Sequence, residues 1–507
     1  MSKGKLLAIC IVWLAIFGCG AVAWRLLIVP AKEQQAEEQH QEQIESTSGE
    51  SRYDHTINFA LDGFSGYAVL RSDEFRSELA NERIRLNLND DKADYGARLK
   101  NLQSGQVQMA AFTIDALIKA SANQKDTPAV VIAIIDETRG ADAMVAGKTV
   151  VPNVTSLNRP ETRFVLTPDS PSETLARVVM SEFALDQLPE DPFIRTSGPD
   201  ETLQRFRDAG SETNNVFVLW EPYVSEILTD SSMQTIVDSS SFRGYIVDVI
   251  VANREFLKQK PKTVEKVLAA YFKTAYEYRN KMTELVLSDA RRQKETLSPE
   301  RAETLVKGIR WKNTQENFAH FGIHQDQSLQ HVEDMIANIT NVLLKTNGIN
   351  ADPTNGQPNR LFFGQMLKSL KQSDFHPGLA DEAITDDTIV LPRLNENEWS
   401  KIREVGELNV QSLVFARGTA RLTGSSHATL DDLVKTLNNW PQYYVKVVGD
   451  ATRRGNLEAN KRLAESRAQK AVDYLVKQGI DANRVRAEAV QPTGKTRVYF
   501  VLGEAPY

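Results

Sequence analysis

The sequence predicts an α/β protein of several domains that is held to a membrane near its N-terminus. Three observations support this. The 507 residues exceed the roughly 100 to 200 that one domain usually needs. From His55 onward, short apolar runs alternate with amphipathic stretches, a pattern typical of strands and helices in turn. Residues 6–24 form an uncharged run of 19, which is long enough to cross a bilayer as a helix.

The orientation of this membrane segment follows from the charges around it. Lys3 and Lys5 precede it and an acidic, glutamine-rich stretch follows. The positive-inside rule therefore predicts a single-pass inner-membrane protein with a cytoplasmic N-terminus and a periplasmic body. A cleaved signal peptide and a lipoprotein attached at Cys19 remain alternatives. Cys10 and Cys19 are the only cysteines, so the rest of the chain has no thiol for a disulfide, a nucleophile or a metal.

Charge is distributed unevenly along the chain. It carries 60 Lys and Arg against 67 Asp and Glu, a net charge of −7, which gives no reason to expect nucleic acid as a partner. Residues 401–507 carry 17 basic and 11 acidic side chains. We therefore expect the two ends to meet different partners.

Apolar patterning places the strands and helices. Residues 129–136 have no polar side, which predicts a central strand covered on both faces. Further strands are predicted at 57–61, 84–89, 107–112, 162–167, 215–220 and 246–252, and helices at 75–80, 97–105, 172–185, 200–209 and 262–282. In the last domain, strands are predicted at 410–416, 443–449, 484–490 and 496–502, and helices at 427–439 and 456–478.

These patterns divide the chain into five parts. The polar stretch after the membrane run is nearly devoid of aliphatic residues, so it predicts a tether or a partly helical stalk rather than a core. The parts are an anchor at 1–30, the tether at 31–52, an α/β body at 53–380, a connector at 381–399 and a terminal domain at 400–507.

Motifs for catalysis are weak. Gly140 and Gly147 are separated by six residues, whereas a phosphate-binding loop needs four. His320, His324 and His331 lack the neighbouring residues of a zinc motif, which favours ordinary packing or surface roles. There is no Gly-x-Ser-x-Gly elbow. We therefore expect no catalytic residue, no metal and no cofactor, and hence not an enzyme.

Loops after several predicted strands carry hydroxyl, acidic and aromatic residues. In open α/β sheets, ligands collect at the carboxyl ends of strands. Ser170 is predicted to cap a helix, with Glu173 as its capping-box partner. The ligand-binding candidates are Phe64, Ser65, Gly66, Thr113, Asp115, Thr138, Gly140, Asp142, Ser170, Ser172, Trp220, Glu221 and Tyr245.

Five segments carry a resemblance for the body. They are GFSGYAVL, LKNLQSGQVQMAAF, IIDETRGADAMVA, VLWEPYVSEIL and IVDVIVANREFLKQKPKTVEKVLAAY, in that order. Residues 55 to about 280 thereby resemble type II periplasmic substrate-binding proteins of the nitrate, sulfonate and thiamine-precursor kind, which are associated with ABC transporters. The resemblance implies two lobes that close on a small molecule, for which an anion is one candidate. It implies lobes of about 55–145 plus 245–280 and of 150–240, with crossing segments near Val145–Val151 and Ser240–Tyr245. Residues 283–375 lie beyond the resemblance and are predicted to form a mainly helical extension.

The segment GDATRRGNLEANKRLAESRAQK carries a second resemblance. Residues 405–502 resemble the OmpA-like peptidoglycan-binding module. In that family an Asp and an Arg clasp the diaminopimelate of the cell-wall peptide, a zwitterion that needs both charges. Arg467 and Asn460 fall on the matching helix positions. Thr452 stands where the family has Asp, so either Asp450 reaches the amine or this copy binds a different peptide or none.

Together the resemblances imply a membrane-anchored extracytoplasmic solute-binding protein that is tethered to peptidoglycan. It would sense or deliver its ligand to an inner-membrane complex, for which an ABC permease is one candidate. The alternative is a structural or assembly protein that links such a complex to the cell wall and retains only a vestigial cleft.

Overall fold

The structure is a computed structural model, and it describes residues 52–122, 124, 126–324, 329–376, 378–384 and 389–505. The predicted anchor, and the predicted tether up to residue 51, lie outside the described residues. Within the described ranges, no helix combines the length and the apolar character that a membrane crossing requires.

The chain forms two compact units. The described part of the smaller unit comprises residues 52–56 and 83–85, in which the Arg83 Nε donates to the Asp54 carboxylate at 2.8 Å. The larger unit comprises Ile57–Glu82 and the chain from Leu86 onward. The first strands of the fold, His55–Leu61 and Ile84–Asp90, begin in the smaller unit, and the other helices and strands belong to the larger one.

The first sheet is built around the apolar run predicted at 129–136. Its strands are β1 His55–Leu61, β2 Ile84–Asp90, β3 Met109–Thr113, β4 Ala129–Thr138, β10 Val247–Asn253 and β11 Ile309–Trp311, in the order β11-β4-β10-β3-β1-β2. All ten residues of β4 are buried, as expected for a strand that is covered on both faces. The associated helices are α1 Ala68–Arg71, α2 Asp73–Asn81, α3 Tyr95–Ser104, α4 Ile114–Ser121, α8 Arg254–Gln259 and α9 Pro261–Tyr278.

The second sheet has its own apolar core. Its strands are β5 Asp142–Gly147, β6 Arg163–Leu166, β7 Phe193–Arg195, β8 Asn215–Trp220 and β9 Met233–Asp238, in the order β7-β6-β8-β5-β9. Phe217 and Leu219 of β8 pack with Val145 of β5 and Ile227. The helices are α5 Pro171–Glu182, α6 Pro199–Ala209 and α7 Tyr223–Ile227. Single-turn 3₁₀ helices lie at Ser65–Tyr67, Val154–Leu157, Ser239–Ser241 and Pro358–Leu361.

Two segments connect the sheets. The first is residues 139–141, between β4 and β5, so the expected crossing near Val145–Val151 is wrong because Val145 already pairs with Phe217 inside the second sheet. The second is residues 239–246, between β9 and β10, and it includes the expected Ser240–Tyr245.

The helical extension binds both sheet regions. It contains α10 Met282–Arg292, α11 Pro299–Lys307, α12 Thr314–His320, α13 Val332–Lys345 and α14 Gln365–Lys371. Helix α13 packs against α4 beside the first sheet and against α5 beside the second. The extension also supplies β11, whose Trp311 pairs with Asp136 at the edge of the first sheet.

The C-terminal domain is an α+β layer. Its elements are α15 Glu396–Ser400, β12 Arg403–Glu407, α16 Gly424–Asn439, β13 Tyr444–Asp450, α17 Leu457–Lys477, β14 Val485–Ala489 and β15 Arg497–Glu504, with strand order β12-β15-β13-β14. The strand predicted at 410–416 is wrong. Only Phe415 makes an isolated bridge there, to Leu422, and the edge strand is β12 instead.

The C-terminal domain docks directly on the second-sheet region. The ring of Phe183 meets that of Trp440 edge-on at 5.3 Å, and Phe242 contacts the same indole at 5.3 Å. The backbone N–H of Ala184 donates to the Glu407 carbonyl at 2.9 Å. We refer to this aromatic and backbone contact as the docking interface.

Candidate functional site

Arg467 of α17 is a half-buried cation of the C-terminal domain. Its Nε donates to the Thr419 carbonyl at 3.0 Å, and its guanidinium lies 5.0 Å from the centre of the Phe415 ring. Among the described residues no carboxylate forms an ion pair with it. Burial lowers the pKa of Arg467, yet a guanidinium stays charged at neutral pH. The remaining N–H groups can therefore receive a carboxylate.

Asn460 shapes the loop that precedes α17. Its side-chain amide donates to the Thr452 carbonyl at 2.9 Å and to the Arg454 carbonyl at 2.8 Å. Gly455, at φ +86°, supplies the left-handed turn that returns the chain to α17, a conformation that favours glycine. Asn460 therefore positions the loop, and the half-buried Thr452 side chain accepts from the Arg454 N–H at 3.2 Å.

Asp450 is engaged elsewhere. One carboxylate oxygen accepts from the N–H groups of Ala451 at 2.7 Å and Thr493 at 2.9 Å, and the other accepts from the Thr493 hydroxyl. Burial opposes ionisation, but these hydrogen bonds outweigh it and lower the pKa of Asp450. The side chain thus holds the loop that follows β14, and only 4% of the residue is exposed.

Three of the ligand-binding candidates, Asp115, Asp142 and Ser172, meet the neighbouring Thr174 where α4 faces α5. The Thr174 hydroxyl donates to Asp115 at 2.5 Å, and the Ser172 hydroxyl donates to Asp142 at 3.2 Å. Burial, opposed by Ser172 and reinforced by repulsion from Asp115, raises the pKa of Asp142 to about 7. Because a raised pKa favours the protonated folded state, Asp142 contributes stability at acid pH that is lost as the pH rises through 7.

Ion pairs run between the same two helices. Lys119 on α4 binds Glu173 at 3.1 Å and Asp169 at 2.6 Å. Glu173 also binds Arg177 at 2.6 Å, and its second oxygen accepts from the Asp169 N–H at 2.7 Å. Ser170 occupies the predicted N-cap position of α5, but the predicted capping box is wrong. Glu173 is used in ion pairs, and the Ser170 hydroxyl donates to the Thr167 carbonyl instead of accepting from a helix N–H.

The other predicted ligand residues are dispersed. Trp220 contacts Tyr223 edge-on, and Glu221 accepts from Ser225 at 2.9 Å. The Tyr245 hydroxyl accepts from Asn439 of the C-terminal domain at 3.2 Å. Phe64 and Ser65 are half-buried, and Gly66, Thr113, Thr138 and Ser170 are buried. Gly140 lies in the first connecting segment with φ +88°.

Sequence reasoning missed a buried acidic pair below Gly66. Asp136 and Asp248 are direct partners on β4 and β10, and the Tyr67 hydroxyl donates to Asp248. Burial raises the pKa of Asp136 to about 8, although a hydrogen bond with Asp248 opposes this. Burial also raises the pKa of Asp248, and repulsion from Asp136 adds to that shift. A side chain at Gly66 would lie 2.3 Å from the Asp136 carboxyl. No local signal marks this pair, because its members are 112 residues apart.

The fold and the arginine site define the class of protein. It has an α/β body of two linked sheets and a C-terminal domain whose half-buried Arg467 has no carboxylate partner among the described residues. Residues 414–497 match the model of the OmpA family, so the C-terminal domain is OmpA-like. Its presence beside the α/β body supports a binding or tethering role.

Comparison with characterised proteins adds two relatives and one structure. The chain is 30% identical over 81 residues to a probable lipoprotein, YiaD, of Escherichia coli (strain K12), covering 16% of this chain and 37% of that protein. It is 34% identical over 74 residues to a peptidoglycan-associated lipoprotein of Rhizobium meliloti (strain 1021), covering 15% and 42%. The chain thus spans less than half the length of these relatives.

A solved structure, a putative sulfonate ABC transporter periplasmic sulfonate-binding protein, SsuA, from Methylobacillus flagellatus KT, aligns with 63% of this chain and 96% of its own. The TM-score is 0.47 and the identity 11%. A likeness at this level does not assign a ligand to the body.

Proposed function

We propose that this protein is an extracytoplasmic tether that binds peptidoglycan through Arg467 of its OmpA-like domain. The observation that carries the proposal is a half-buried guanidinium with a carbonyl and an aromatic ring as partners and no carboxylate ion-paired to it among the described residues. The relative from Rhizobium meliloti is named for its association with peptidoglycan, and the OmpA family match covers residues 414–497, which include Arg467.

The chemistry fits one half of a zwitterion. A guanidinium binds a carboxylate through paired N–H donors, and this geometry is stronger and more specific than a neutral hydrogen bond. Asp450 is held by Thr493, so we assign the ligand's ammonium to the carbonyl and hydroxyl oxygens of the loop at Thr452 rather than to a carboxylate. We therefore expect weaker binding than a site with a free Asp would give.

Replacing Arg467 with alanine tests the assignment. We expect the full chain, solubilised in mild detergent, to sediment with purified peptidoglycan, and the Arg467→Ala variant to lose affinity by about 10- to 100-fold, the equivalent of one charge-assisted contact. Arg462→Ala, at an exposed position of the same helix, is the matched control and should sediment like the parent. Equal sedimentation of Arg467→Ala and the parent contradicts the proposal.

For the body we propose a receptor for a small solute that is anchored in the inner membrane by residues 6–24 and that signals or delivers to a membrane complex. The paired sheets, two connecting segments and hydroxyl and acidic residues at strand ends support this proposal. The opposing proposal is an assembly scaffold. Two contacts between α4 and α5 favour it: the hydrogen bond from Thr174 to Asp115 and the ion pair between Lys119 and Glu173. Such contacts hold the two sheet regions together without a ligand.

Calorimetry distinguishes these two roles. A receptor should bind at least one of inorganic anions, sulfonates or thiamine precursors with a dissociation constant in or below the micromolar range, which corresponds to about 8 kcal/mol. Trp220→Ala, at a half-buried cleft candidate, should weaken that binding, whereas Arg205→Ala on the exposed face of α6 should not. No heat from any of these ligands favours the scaffold.

A further inference from the structure

A cavity of about 690 Å³ lies where three parts of the chain meet. The end of β4 contributes Glu137, and the connecting segments contribute Arg139, Arg243 and Gly244. The helical extension contributes His320 and Asn338 among others, and the C-terminal domain contributes Lys435, Asn439, Asp481 and Arg484 among others. Its volume is within the range of about 300–1,000 Å³ usual for small-molecule sites.

This cavity is not the predicted cleft. Its lining residues include none of the predicted ligand-binding candidates. Glu137 lines it, whereas Thr138, the next residue of β4, is a cleft candidate. Because successive side chains of a strand point to opposite faces, the cavity and the Thr138 side chain lie on opposite faces of the end of β4.

Its lining is predominantly cationic. Three acidic side chains face it, Glu137, Asp334 and Asp481, against five basic ones: Arg139, Arg243, Lys312, Lys435 and Arg484. Glu137 is already bound to Lys312 at 3.1 Å and accepts from the Gly244 N–H at 2.7 Å. The excess of positive charge favours an anion in the remaining space.

Arg484 is the clearest source of that excess. It is 7% exposed, and its guanidinium donates to the carbonyls of Tyr443, at 2.7 Å, and Trp440. No carboxylate in the described part of the chain is ion-paired with it. Burial and the nearby Arg243 lower the pKa of Arg484 to about 10. A buried cation with neutral partners is costly unless a further anion balances it.

His320 adds a directional group. It is 2% exposed, and its Nδ1 lies 2.6 Å from the Gln330 carbonyl, which can only accept, so Nδ1 carries the proton. Burial lowers the pKa of His320 to about 4, so the ring is neutral and Nε2 is an acceptor. Nε2 has no partner among the described residues. A ligand that carries an O–H or N–H donor would satisfy it.

We propose that this cavity binds a small organic anion that also carries a hydroxyl or amine donor. The anionic group would lie against Arg484 and Lys435, and the donor would face His320. Because the lining comes from the connecting segments, the extension and the C-terminal domain, the bound anion would fasten the C-terminal domain to the body. The proposal goes beyond peptidoglycan binding and does not depend on it.

Three anions with hydroxyl groups serve as probes: citrate, 2-hydroxyethanesulfonate and glycerol 3-phosphate, with glycerol as the uncharged control. Calorimetry on the full chain in mild detergent should show binding of at least one anion and none of glycerol. Asn338→Trp, which fills the cavity from α13, should weaken that binding by more than about tenfold. Asn341→Trp, on the exposed side of the same helix, should leave it unchanged.

A charge reversal avoids any effect on the core. The Lys435 side chain is 71% exposed and pairs with Asp432 at 3.2 Å; that of Lys470 is 59% exposed and pairs with Asp473 at 3.1 Å. Lys435→Glu should weaken binding of the anion by about fivefold, as expected for one exposed charge. Lys470→Glu should leave the binding unchanged. Failure of all three anions to bind, or binding that survives both cavity variants, overturns the proposal. If anion binding is lost in the Trp220→Ala variant instead, the anion binds in the predicted cleft, and this result also overturns the cavity proposal.

Discussion

Replacing Trp440 with alanine is expected to lower the free energy of unfolding by about 3–5 kcal/mol, as for other fully buried tryptophans. The indole is 0% exposed and packs against Phe183, Phe242 and Tyr443. Its removal would leave a cavity at the centre of the docking interface. Denaturant unfolding followed by circular dichroism measures the loss, and limited proteolysis should show earlier release of the C-terminal domain.

Trp440→Phe is the matched control. The indole Nε1 has no hydrogen-bond partner among the described residues, so a phenyl ring replaces most of the contact without losing a hydrogen bond. We expect a loss of about 1–2 kcal/mol for this partial reduction in volume. An alanine variant as stable as the phenylalanine variant would mean that the docking interface contributes little to stability.

Replacing Arg98 with alanine is the second change with a large expected effect. Its side chain is 0% exposed and bridges Asp62, at 3.0 Å, and Asp91, through Nε at 2.7 Å. It also donates to the Ala111 carbonyl and lies 4.8 Å from the Tyr95 ring centre. Removing it leaves two acids without their cation, so we expect a loss of about 3–5 kcal/mol in denaturant unfolding.

Two further variants serve as controls for this prediction. Arg205→Ala breaks a pair with Glu201 at 2.8 Å whose side chains are 46% and 37% exposed, and it should cost no more than about 1 kcal/mol. Adding Asp62→Asn and Asp91→Asn to Arg98→Ala should recover part of the loss, because the acids would no longer be charged. If the two arginine variants are equally stable, burial does not set the strength of the Arg98 pairs.

The strand and helix pattern of the body was largely predictable. The apolar run at 129–136 and the alternating run at 84–89 form β4 and β2, because each carries its periodicity locally. The strand Ile309–Trp311 was missed since three residues give no periodicity, and it forms only by pairing with β4. The strand predicted at 410–416 failed for the related reason that β15 pairs with 403–407 instead.

The candidate sites were predictable to different degrees. Arg467 and Asn460 lie on one helix, so their common face follows from helical spacing. The Thr419 carbonyl that orients Arg467 is 48 residues away, and no short-range pattern indicates it. His320 and His331 were noticed in the sequence, but only the fold shows that both line a cavity with the C-terminal domain.

By itself the sequence determined which segments are apolar strands and helices, where the charge lies, and that an OmpA-like domain follows an α/β body, because these properties belong to neighbouring residues. The tertiary structure alone decided that Asp450 accepts hydrogen bonds from Thr493 and that Trp440 packs the C-terminal domain against the body. It also decided that Arg484 and His320 line one cavity. Each of these facts depends on contacts between distant segments, and the identity of the residues does not specify such contacts until the chain is packed.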